Sequence, residues 1–120
     1  MTALNFSVFL DKVERREKCQ TIRKGCHNHK VGRHIQLYSG LRTSAARKLV
    51  NEDPICKSID PIVIGRYWVK IHGRLISSQT TQEIARDDGF ESLTEFFDYF
   101  CTERPVFVGY LIKWDWPDAG

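Results

Sequence analysis

Apolar and polar positions repeat along this chain with two different periods. Val106, Val108, Tyr110, Ile112 and Trp114 recur at every second position, the spacing of a strand with one buried face. Upstream, Leu93, Phe96, Phe97 and Phe100 fall at i, i+3, i+4 and i+7, the apolar stripe of a helix lying on a core. Ser92 stands three residues before Glu95, and Thr80 three before Glu83. These two capping boxes predict two consecutive helices, the first closed by Gly89. Together the elements predict a central final strand, with Val108, Tyr110 and Ile112 packed against Phe96 and Phe100.

Ahead of these the chain is written in shorter segments. Residues 3–6 fit a first strand, and Phe9 and Val13, four apart among charges, fit an amphipathic helix over about 8–16. Thr21 and Ile22 centre a strand that Gly25 turns, and 27–30 is a polar loop. After Val31-Gly32, Ile35 and Leu37 alternate with polar neighbours in a half-buried strand over 33–38. Residues 44–49 fit either one helical turn or an ordered loop. Ile55 to Ile64 is strand-like, with Pro61 calling for an edge, a bulge or a bend. Gly65-Arg66 turns into a strand over 67–71, and His72-Gly73 turns again. The sum is an α+β chain of five to six mostly antiparallel strands and two to three short helices, with a curved or closed sheet. One domain spans 1–120, its core about 4–114, with 115–120 as a frayed tail.

Composition narrows the class. At 42% apolar and 28% charged residues, the chain is globular and able to bury a core. No apolar run approaches the roughly 20 residues of a membrane span, and no export signal opens the sequence, so a cytoplasmic location is expected. The four cysteines, Cys19, Cys26, Cys56 and Cys101, form no C-x-x-C pair and fit buried thiols. Cys26-His27-Asn28-His29 holds three metal-ligand types without the paired spacing of a zinc site, and fits a polar loop better. Neither a metal nor a cofactor is expected.

Charge changes the picture more. The net charge of +3 hides an asymmetry: residues 12–48 carry eleven Lys or Arg against Glu14 and Glu17, a balance of +9. Residues 81–120 carry nine acids against Arg86, Arg104 and Lys113, a balance of −6. A surface with such a basic region attracts polyanions if its charges share a face; two halves that neutralise each other in space are the alternative.

The candidate chemistry lies in the basic half, at Lys18-Cys19-Gln20-Thr21-Ile22-Arg23-Lys24-Gly25. A hydroxyl near a lysine supplies a nucleophile and a base, because a desolvated lysine, or one beside other cations, gives up its proton more easily. Alternation puts Cys19, Thr21 and Arg23 on one face and Lys18, Gln20, Ile22 and Lys24 on the other. Lys18 must therefore precede the regular strand, or sit on a bulge, to share a pocket with Thr21. A basic, solvated strand start is the alternative.

Five stretches in order resemble the ASCH domain (activating signal cointegrator homology), a PUA-like β-barrel family. They are Lys18-x-x-Thr21-x-Arg23-Lys24-Gly25, Val31-Gly32, Tyr38-x-Gly40-x-Arg42-Thr43, Ala85-Arg86-Asp87-Asp88-Gly89-Phe90, and Val108-Gly109-Tyr110-Leu111-Ile112-Lys113-Trp114. The resemblance implies a barrel with a basic cleft for RNA or a modified nucleoside. Small single-domain members include amidohydrolases that remove the acetyl group of N4-acetylcytidine. In those, a threonine, a lysine and a glutamate act together. The match implies Thr21 as nucleophile, Lys18 as base and Asp88 as the acid, an aspartate where the family has glutamate, with Asp87 as the competing assignment. Asp88 also fits a plain helix-end turn with Gly89. Arg23, Lys24, Tyr38, Arg42 and Thr43 are the implied substrate- or RNA-binding residues. Two alternatives use the same cleft: a non-catalytic RNA-binding module, and a ribonuclease with Lys18 and His34 or His72 as acid and base.

Overall fold

The computed structural model describes residues 2–26 and 28–117; His27 and the end of the expected frayed tail, 118–120, lie outside the described residues. The frame is one long strand pair. β5 (Ile55–Ile64) and β8 (Phe107–Asp115) run antiparallel from Ile55 opposite Asp115 to Ile64 opposite Phe107, with one bulge between Cys56 and Ser58. β2 (Gln20–Arg23) pairs with the other edge of β8. β6 (Val69–Ile71) and β7 (Arg74–Leu75) extend the sheet past β5, giving the order β2-β8-β5-β6-β7. A second sheet, β1-β3-β4, joins β1 (Thr2–Phe6) parallel to β3 (Ile35–Ser39) and β4 (Arg47–Lys48) antiparallel to it. Three helices complete the described chain: α1 (Leu10–Glu14), α2 (Ser78–Asp88) and α3 (Leu93–Cys101).

The result is an α+β fold with eight strands in two sheets. Among the described residues the sheets form no closed barrel; they meet at one corner. There His34 bridges Ile55, the Cys56 N–H donates to Arg33 O at 2.8 Å, and the Ile35 N–H donates to Pro54 O at 2.9 Å. The strand count exceeds the expected five or six because β4 and β7 are two-residue strands, too short for any periodicity. The ordered loop, not a helical turn, is what fills most of 44–49.

Two cores flank the five-stranded sheet. On one side Ile62, Ile64, Phe107 and Leu111 meet Ile84, Phe96 and Phe100 of the helices. On the other, Ile112 and Trp114 meet Leu4, Phe6, Ile35 and Leu37 of the small sheet. The final strand is central, as its alternation predicts, but its helix-facing residues are Phe107 and Leu111. Ile112 faces the small sheet, Tyr110 packs beside it, and Val108 is 65% exposed. A strand covered on both faces carries apolar residues at both phases, so alternation does not say which face the helices take. Trp116, expected in the frayed tail, is buried against Trp114, ring centroids 6.3 Å apart.

Local chemistry sets the helix ends. Ser92 caps α3 as predicted, accepting from Glu95 N at 3.2 Å. Ser77, not Thr80, caps α2: its Oγ accepts the Thr80 N–H at 3.1 Å. The Ile76 N–H still donates to Val69 O, which keeps the chain on β6 until Ser77, the first residue free to cap. Gly89 ends α2 at φ 114°, its N–H donating to Arg86 O. Pro61 lies inside β5 just where the β6 ladder stops, so the strand has a local edge on that side, as expected for a residue that cannot donate to a ladder.

Candidate functional site

The β2 strand leaves Lys18 two residues before its first paired residue, outside strict alternation. That position lets the Lys18 side chain turn back toward the end of α2. Its Nζ donates to the main-chain oxygen of Asp88 at 2.6 Å and lies 3.2 Å from the Asp88 carboxylate. Both residues are buried, Lys18 2% and Asp88 5% exposed. α2 ends there on Gly89, whose missing Cβ leaves room for the Phe9 ring. The same ring lies 5.6 Å from Lys18 Nζ and 5.9 Å from Lys12 Nζ, and Lys12 Nζ reaches Gly89 O at 3.4 Å.

Thr21 lies on β2 itself, buried, opposite Ile112. Arg23 Nε donates to Thr21 Oγ1 at 3.1 Å, and the guanidinium stacks 4.7 Å over Phe6. Lys18, Thr21, Arg23 and Asp88 all line one cavity of about 110 Å³, with Asn5, Phe6, Phe9 and Tyr99 completing much of its wall. A cavity of about 150 Å³ holds one benzene ring, so this smaller one takes part of a planar base rather than the whole of it.

Burial pushes the Lys18 amine down from its ordinary value, helped by Arg23 and Lys12 and opposed by Asp88. Burial likewise pushes the Asp88 carboxyl up, opposed by Lys18, by a hydrogen bond from Gln20 and by Arg23. Each partner is driven toward its neutral form, so the amine–acid pair is brought closer in energy to the ion pair. Burial lowers Arg23 as well.

The remaining expected residues disperse. Lys24 lines an adjoining groove. Tyr38 sits opposite Asn5 in the β1–β3 ladder without lining the cavity. Arg42 and Thr43 belong to an exposed turn, where Thr43 Oγ1 donates to Gly40 O at 2.6 Å; the Leu41 N–H ties that turn to Asn5 at 2.9 Å. Asp87 lines a separate hollow with Cys19, Trp114 and Trp116, so Asp88 is the acid beside Lys18. His72 pairs with Asp60 at 2.8 Å and His34 bridges Ile55; neither lines the cavity. The basic half converges only in part: Arg15, Arg47 and Lys48 are in ion pairs with Glu17, Glu14 and Asp53. His29 turns back on Cys26 as a loop residue, and the described residues hold no cluster of three metal-ligating side chains.

Gln20 was not among the expected site residues. Its side-chain amide donates to Ile84 O at 3.1 Å and to Asp88 Oδ1 at 3.4 Å, fixing the carboxylate from behind. Its only trace in the sequence is sharing the Lys18 side of the alternation. Asn5, Phe9 and Tyr99 carry no such trace, because loops and other elements bring them in.

No helix among the described residues is long and apolar enough to cross a membrane. Compared with protein families, curated proteins and solved structures, the chain matches none.

Proposed function

We propose that the chain is an ASCH-like protein of PUA-like architecture, and an amidohydrolase that removes the acyl group from N4-acetylcytidine, free or in RNA. The observation that carries this is the meeting of Thr21, Lys18, Asp88 and Arg23 around one small cavity. Amide hydrolysis needs a nucleophile, a base for its proton and a donor for the developing oxyanion.

Each group has a task. Moving one proton from the Lys18 ammonium to the Asp88 carboxylate leaves a neutral amine next to the cavity. Thr21 Oγ attacks the acetyl carbonyl carbon as its proton passes to Lys18. The tetrahedral oxyanion is neutralised by the Arg23 guanidinium, already aligned on Thr21. Collapse breaks the bond to N4, which takes the proton from Lys18 and leaves as the cytosine amine. Water, deprotonated by the same amine, then attacks the threonyl ester; the bond to Thr21 Oγ breaks, Lys18 returns the proton to that oxygen, and acetic acid leaves and ionises to acetate.

One observation favours a second reading, a binding module without catalysis. The Lys18–Asp88 pair also ties the start of β2 to the end of α2, as a structural staple would. Incubating the pure protein with N4-acetylcytidine and with mixed RNA, then separating products by mass, distinguishes the two. Cytidine and acetate support the amidohydrolase; retention of RNA with no product supports the module.

A further inference from the structure

The cavity opens beside a larger groove of about 360 Å³. Arg23 and Tyr99 line both spaces, while Lys24, Arg104 and Glu103 line the groove alone. Among the described residues neither Lys24 nor Arg104 has an ion-pair or hydrogen-bond partner. With Arg23 at the junction, three cations face one carboxylate, and the groove keeps an excess of positive charge.

The sizes divide a nucleotide between the two spaces. A cavity smaller than one that holds benzene takes the N4 edge of a base with its acyl group, and leaves the rest of the base and the sugar at the mouth. There Tyr99, 54% exposed, offers an aromatic face to the ribose. A phosphate on that ribose enters the groove, where Lys24 and Arg104 meet it as charge-assisted donors.

We infer that this groove is a phosphate subsite, so that the preferred substrate is a phosphorylated nucleotide rather than the free nucleoside. The substrate chemistry rests on the amidohydrolase reading; the subsite itself can be tested apart from it.

The test measures kcat/KM for N4-acetylcytidine, its 5′- and 3′-monophosphates and a short acetylated oligoribonucleotide. Wild type is compared with the Lys24→Gln, Arg104→Gln double variant. At low salt at least one phosphorylated substrate should be preferred over the nucleoside by about five- to tenfold, as expected for partly exposed charge pairs. The preference should fall toward one in the double variant and in high salt, where exposed charges are screened. Preference for the oligoribonucleotide over both monophosphates supports a groove that tracks a strand. Equal rates on nucleoside and phosphorylated substrates, or a preference the double variant keeps, overturns the subsite. If none of the substrates is hydrolysed, the amidohydrolase reading fails instead. Binding of cytidine monophosphate against cytidine, in the same two proteins, then decides the groove alone by the same criteria.

Discussion

Asp88 and Gln20, both buried beside Lys18, each make a distinct prediction. Asp88→Asn leaves Lys18 buried without its counter-charge, a change that typically costs about 3–5 kcal/mol. Its pH dependence has a definite sign. Losing Asp88 removes what holds the Lys18 amine up, so its folded pKa falls further below the ordinary 10.5. Between those values the folded variant binds fewer protons than the unfolded chain, and its stability rises with pH. Urea unfolding at mildly acidic and alkaline pH should therefore show the deficit shrinking as pH rises; a deficit that grows would contradict the buried pair. Gln20→Met tests positioning. Gln20 favours the ionised Asp88, so its loss raises that carboxyl and moves the acidic limb of the kcat/KM profile to higher pH. A variant that is merely less stable would leave the limb in place. The sequence showed Lys18, Thr21 and Arg23 as a cluster because they lie within six residues. It could not choose Asp88 over Asp87, because that choice depends on which face of the last turn of α2 meets β2.

Elements were legible where period and caps agree, and misplaced where they compete. Ser92-x-x-Glu95 began α3 where it was expected, because the extended chain before it ends there. Ser77-Ser78-Gln79-Thr80 offers several hydroxyls, and the hydrogen bond from Ile76 back to β6 chose Ser77. Ser77→Ala should accordingly cost about 1 kcal/mol of stability, and Thr80→Ala clearly less. Equal costs would return the cap to Thr80. Gly89 is constrained twice. Its φ of 114° disfavours any side chain, and an added Cβ would come within 2.9 Å of the Phe9 ring. Gly89→Ala should lower stability by about 1–3 kcal/mol and loosen the Asp88 carbonyl that Lys18 uses, with thermal unfolding and kcat falling together. Unchanged unfolding would mean that Phe9 moves aside freely.

At the scale of the molecule, the α+β class and the central last strand were readable, while the layering was not. Ile112 and Leu111 belong to opposite cores, and no one-dimensional period separates two apolar faces of a strand covered by helices on one side and by a sheet on the other. The parallel pairing of β1 with β3 brings Asn5 and Phe6 to the cavity wall, a long-range contact without a local signal. The account as a whole depends on whether this cavity performs acyl transfer through Thr21. The most direct measurement follows release of acetate and cytidine from N4-acetylcytidine by wild type and by Thr21→Ala, both shown folded by circular dichroism. Wild type should turn over, and Thr21→Ala should be slower by on the order of a thousandfold, since groups acting as a unit fail together. Equal turnover by the two proteins, or none by wild type, would contradict the catalytic assignment.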